Sequence, residues 1–192
     1  MSILVLGLVL FLGVHSVRIF ADGFRTAQVA RIGERRWKLL VAVVSFFGLA
    51  LIIWGYGDAR QATRVLYVPP VWTRHLAAPL TLVAFILIAA GNIRGTRIRA
   101  RLGHPMVAGT KLWAFAHLIA NGTVADVVLF GAFLAWAIAD FMSARRRDRA
   151  EGRVYRVGPI SRDLIAIGAG GLAWAVFAFF LHGPLIGVHP FA

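Results

Sequence analysis

The feature that most constrains this chain is a series of uncharged or nearly uncharged apolar runs close to 20 residues long. They fall at about 3 to 20, 39 to 57, 76 to 93, 106 to 120, 123 to 142 and 164 to 182. Runs of that length match the hydrocarbon thickness of a bilayer, where only a helix satisfies its own backbone polar groups. The expectation is an all-α, polytopic transmembrane bundle of about six helices in one domain over 1 to 192. The fourth run carries Lys111 and His117 and stops at Asn121-Gly122, read as a left-handed helix-ending pair, so five helices with a re-entrant 106 to 120 is the alternative. Composition agrees: 59% of residues are hydrophobic and 15% charged, too few charges to cover a water-soluble surface.

The formal charge of +13 would suit nucleic acid on a soluble domain, but here the basic residues sit in short blocks between apolar runs. They read as topology signals and as contacts for anionic lipid headgroups, which excludes nucleic-acid recognition. Arg18, Arg25, Arg31, Arg35, Arg36 and Lys38 flank the first loop, Arg94, Arg97, Arg99 and Arg101 the third, and Arg145, Arg146, Arg147, Arg149, Arg153, Arg156 and Arg162 the fifth. With Lys111, these make 18 of the 21 basic residues, against Arg60, Arg64 and Arg74 on the other side. The positive-inside rule then expects a bacterial cytoplasmic membrane protein with loops 21 to 38, 94 to 105 and 143 to 163 in the cytoplasm and both termini periplasmic. The first run lacks a basic leader and a small-x-small site, so it is expected to stay as an anchor.

The chain has no cysteine, which removes disulfides, thiolate chemistry and thioether-linked haem. Chemistry within the bilayer must then come from a few ionisable residues: His15, Lys111, His117, and Asp126 and Asp140 at the ends of the fifth helix. Lys111 is expected to snorkel to the interface, and for Asp126 and Asp140 a helix cap or a headgroup contact suffices. Helical rise puts His15 about 7 Å and His117 about 16 Å inside the arginine-rich face. Two neutral imidazoles at adjoining depths suit the two faces of an iron porphyrin, or equally hydrogen bonds to neighbouring helices. Gly13 leaves room beside His15, and Phe11, Trp113 and Asn121 lie one turn from a histidine. Arg18, three residues past His15, is placed for a propionate or is a plain positive-inside flank. His75, His182 and His189 fall on the opposite side, where a surface copper or zinc site is conceivable.

The segment His104-Pro105-Met106-Val107-Ala108-Gly109, followed by Leu112-Trp113-Ala114-Phe115-Ala116-His117-Leu118-Ile119-Ala120-Asn121-Gly122, resembles the NnrU family of integral membrane proteins, as does Val14-His15-Ser16-Val17-Arg18. The resemblance covers essentially the whole chain. It implies a role in denitrification, supporting nitrite or nitric oxide respiration, with denitrification proteins or a hydrophobic small molecule as partners besides the bilayer. The family also holds haem b cis-zeta-carotene isomerases, whose axial histidines match His15 and His117, so the resemblance implies haem b and, alternatively, cis-trans isomerisation of a carotenoid-like lipid. Where the isomerase pattern has a cysteine three residues before the second histidine, this chain has Ala114. Arg101-Leu102-Gly103-His104-Pro105 is also similar to the helix start with which isoprenylcysteine methyltransferases hold S-adenosylmethionine, but lacks the tyrosine that follows there.

Overall fold

A computed structural model describes residues 1 to 191, which are almost wholly helical; no β-strand occurs among the described residues. The chain is an all-α helical bundle. Five helical stretches are long and apolar enough to cross a membrane: Ser2–Phe20, Glu34–Ala62, Val71–Asn92, Val124–Ala150 and Ser161–Ile186. The chain divides into two compact units, Met1–Arg64 and Val65–Ala192.

The first unit holds α1 (Ser2–Phe20), α2 (Asp22–Ile32) and α3 (Glu34–Ala59). Helices α1 and α3 pack antiparallel through glycines that admit backbone against backbone. A Cβ on Gly55 would lie 2.4 Å from the Leu4 nitrogen, one on Gly7 2.7 Å from that of Ile52, and one on Gly48 2.8 Å from that of Phe11. Without a hydrophobic difference between lipid tails and side chains, this close approach is what holds two membrane helices together. Gly13, on the same helix, faces open space. The basic stretch read as a loop contains the short helix α2, closed by Gly33 at φ +85°, a left-handed conformation that glycine adopts without strain.

The second unit is a row of four crossing helices in the order α8, α4, α6, α7. These are α4 (Val71–Asn92), α6 (Pro105–Ala120), α7 (Val124–Ala150) and α8 (Ser161–Val176), the last continuing through a π turn at Phe177–Leu181 into α9 (His182–Ile186). Neighbours run antiparallel: a Cβ on Gly91 would strike Met106, and one on Gly109 the Ala84 carbonyl, between α4 and α6. Ala166 and Gly170 on α8 are buried, and a Cβ on Gly170 would sit 2.5 Å from Ile86 Cα. Trp174 Nε1 donates to Thr81 Oγ1 at 3.0 Å in the same seam.

The short helix α6 has 16 residues, about 24 Å of rise, less than the roughly 30 Å of a hydrocarbon core. Both of its ends are nevertheless tied to opposite ends of the row. At its start lie His104 and the end of α7, and the short helix α5 (Arg97–Leu102), whose Arg97 and Ile98 N–H groups donate to Asp163 of α8 at 3.1 Å each. At its finish, Leu66 and Tyr67 N–H donate to the Gly122 carbonyl at 2.8 and 3.1 Å, and Val65 pairs with Thr123, all in the strap that leads into α4. Helix α6 is therefore fastened at both ends of the row, and it is not one of the five stretches long and apolar enough to cross a membrane. Asn121 is extended rather than left-handed. What turns the chain there is the strap, against which Gly122 packs so closely that a Cβ would overlap the Tyr67 carbonyl.

Candidate functional site

In the first unit, His15 stands on α1 with Nδ1 2.6 Å from the Phe11 carbonyl and its ring 4.5 Å from that of Phe11. A carbonyl only accepts, so Nδ1 carries a proton, and in the neutral ring Nε2 is the basic nitrogen. Arg18 follows in the last turn of the same helix.

In the second unit, His117 repeats this arrangement on α6. Its Nδ1 donates to the Trp113 carbonyl at 2.8 Å, again fixing Nε2 as the basic nitrogen. The ring stacks on Phe130 of α7 at 4.5 Å and 26°, and Trp113 lies 5.0 Å away. Asn121 anchors the helix end: its backbone N–H and Nδ2 both donate to the His117 carbonyl at 2.9 Å, while its own carbonyl accepts the Tyr67 hydroxyl at 2.7 Å. That hydroxyl also contacts the Leu118 carbonyl. Ala114 is fully buried one turn before His117, so a small apolar side chain fills the place of the isomerases' cysteine.

Lys111 and His104 lie toward the arginine-rich end of the same helix. Lys111 Nζ sits 3.9 Å over the Phe141 ring of α7, a cation-π contact. Phe141 also meets His104, 6.4 Å away and edge-on. His104 precedes Pro105 at the helix start as expected, but its Nε2 lies 2.8 Å from Asp148 Oδ2. The Tyr155 hydroxyl donates to the same carboxylate at 2.9 and 3.1 Å, and Arg153 Nε stands 3.7 Å from it. Arg99 lies over the Tyr155 ring at 5.7 Å. Burial, followed by the hydrogen bond and charge of Asp148, raises the Tyr155 phenol above its ordinary ionisation range.

Sequence reasoning missed Asp148 and Tyr155. The signal was present, since Asp148 interrupts the arginine run Arg145-Arg146-Arg147-Asp148-Arg149, and a lone carboxylate there asks for a specific partner. Asp126 does cap its helix, in a reciprocal box with Thr123. On the far end, His182 donates Nδ1 to the Val188 carbonyl at 2.7 Å and the His189 ring packs on Gly183. No group of three or more His, Cys, Asp or Glu side chains is arranged to hold a metal ion among the described residues.

Long apolar helices joined through glycine seams define a helical membrane protein. The family model described as NnrU protein matches residues 3–190, and the chain belongs to the NnrU family. No curated protein and no solved structure matches it.

Proposed function

We propose that this NnrU protein binds one b-type haem, with His15 and His117 as axial ligands, and that it serves nitrite or nitric oxide respiration from the bacterial cytoplasmic membrane. The observation that carries the reading is the shared tautomer. Each histidine gives Nδ1–H to the carbonyl one turn earlier, Phe11 for His15 and Trp113 for His117, which leaves Nε2 as the coordinating atom. A ring held in this way keeps its orientation and gains basicity, as metal-bound imidazoles do when their second nitrogen donates to a carbonyl. Bound haem would supply a one-electron redox centre; the protein would orient it, keep water away with Phe130 and Trp113, and offer Arg18 to a propionate.

The respiratory role rests on the association with denitrification that the family resemblance implies, and Ala114 favours it over isomerisation because the thiol of the isomerase pattern is missing. The same reading puts both termini in the periplasm and the three arginine-rich loops in the cytoplasm. Asp148 occupies Nε2 of His104 and Tyr155 comes from a different loop, so the methyltransferase-like reading of His104 gains no support.

The test is an absorption spectrum of the protein purified in detergent from haem-replete cells. A low-spin, six-coordinate b-type spectrum is expected, lost or turned high-spin in His15→Ala and His117→Ala and retained in His75→Ala and His189→Ala. A folded, colourless wild-type protein overturns the proposal.

A further inference from the structure

The segment between α1 and α3 is built to lie flat. The contacts of Gly55 with Leu4, Gly7 with Ile52 and Gly48 with Phe11 share one antiparallel register, which sets Phe20, the last residue of α1, level with Leu39 of α3. By helical rise α3 therefore begins, at Glu34, about 7 Å beyond that level. Single residues, Ala21 and Gly33, join α2 to its neighbours, so all 11 of its residues must fit within that short interval. The Phe24 ring meets Trp37 edge-on at 6.4 Å, which holds the first turn of α2 about 3 Å beyond Leu39. Rising only about 5 Å over a length of about 16 Å, α2 lies across the α1–α3 pair rather than along it.

Polarity changes sharply at this level. Phe20, Leu39 and Leu40 are exposed, an apolar rim suited to the edge of a hydrocarbon layer, and Trp37 stands just beyond them, where aromatic belts form. Along α2, Arg25, Gln28, Val29 and Ile32 are half-buried on one face, while Phe24, Ala27 and Arg31 are exposed on another. Positive charge is in excess here. Of the three carboxylate side chains in this unit, Asp22 pairs with Arg25 at 3.7 Å, Glu34 with Lys38 at 2.7 Å, and Asp58 lies at the opposite end of α3. Arg31, Arg35 and Arg36 are exposed around the Gly33 turn, and their side chains form no ion pair or hydrogen bond among the described residues. We propose that α2 lies in the headgroup layer of the membrane, where Arg31, Arg35 and Arg36 bind the phosphates of anionic phospholipids and Phe20 and Phe24 rest on the acyl chains. A guanidinium offers phosphate oxygens paired hydrogen bonds, and a negatively charged leaflet draws basic residues that flank a span. The inference is independent of haem and of which leaflet receives this segment.

The experiment places one fluorophore on Ala27→Cys, the chain having no other cysteine, in the purified full chain in nanodiscs. The quenchers are aqueous iodide and phospholipids that carry a nitroxide at the glycerol end of one acyl chain, on either phosphatidylcholine or phosphatidylglycerol. The lipid nitroxides should quench this fluorophore, and iodide should quench it about twofold less or weaker still than one on the exposed Val154→Cys. Labelled phosphatidylglycerol should quench about twofold or more better than labelled phosphatidylcholine, and the preference should vanish in the triple variant Arg31→Gln, Arg35→Gln, Arg36→Gln. Full iodide quenching without a response to the lipid labels puts α2 in water and overturns the proposal. Equal quenching by the two lipids in the chain with its arginines intact does the same, however the triple variant folds. A preference that survives in the triple variant overturns the assignment to these three arginines.

Discussion

The imidazole of His104 and the carboxylate of Asp148 meet at 2.8 Å, so the residue that opens α6 is held by one in the last turn of α7. Tyr155 seals the contact from the loop that follows. Replacing Asp148 with Ala strands the His104 N–H and the Tyr155 hydroxyl in a largely buried place, and should lower stability by about 1–3 kcal/mol in a thermal or denaturant melt. Asp148→Asn, which keeps an acceptor oxygen, should cost less.

Tyr155 also gives a signed pH dependence. Its phenol ionises above the ordinary range in the folded chain, so folding retains a proton that the unfolded chain releases near pH 10. This contribution is intact below about pH 10 and is lost as pH rises through the folded-state value. Tyr67 is raised as well, chiefly by burial. Unfolding midpoints measured from pH 8 to pH 11 should therefore fall on the alkaline side, less steeply in Tyr155→Phe. An unchanged slope in that variant removes Tyr155 from the explanation.

The glycine seam between α1 and α3 makes a contrast available. Gly55→Ala places a methyl 2.4 Å from the Leu4 nitrogen, where backbone rather than a flexible side chain must yield, and should cost about 1–3 kcal/mol. Gly13→Ala meets no atom and should be neutral or gain up to about 1 kcal/mol from helix propensity. Melting both variants in the same detergent distinguishes a packing role from a general intolerance of substitution.

Because the chain has no cysteine, single cysteines report sidedness directly. Val68 and Val154 are 82% and 87% exposed, at opposite ends of the four-helix row. An impermeant maleimide added to spheroplasts should label Val68→Cys, and should label Val154→Cys only after permeabilisation. The reverse pattern inverts the proposed topology.

Family role and lipid chemistry separate in a paired experiment. Deleting the gene in its host should slow nitrite consumption under low oxygen, and expressing it in bacteria that accumulate the tri-cis carotene should leave the pigment unchanged. Rapid pigment conversion with normal denitrification would make isomerisation the better reading.

Five of the six apolar runs became helices long and apolar enough to cross a membrane and the fourth became the shorter α6, because burial in lipid imposes length and composition on every span. Hydropathy marks the edge of the lipid rather than the end of a helix, which is why α7 runs on through its arginines to Ala150 and why α2 and α5 hid in loops. Spacing placed His15 and His117 at a depth, and their local hydrogen bonds then followed from helix geometry alone. Direction was not legible: nothing in sequence told that Lys111 turns to Phe141, or that Asp148 and Tyr155, 44 and 51 residues from His104, would close around it. Such contacts depend on which helices become neighbours.

The strap before α4 has a consequence for biogenesis. Tyr67 finds its acceptors at Leu118 and Asn121, 51 and 54 residues later in the chain. While the polypeptide is still emerging, α4 enters the bilayer with that strap unfastened, and it stays so until α6 has been delivered and its far end released. Insertion of this unit is thus ratified late: a chain arrested after α5 would have crossed the membrane without the clasp that fixes how α4 stands.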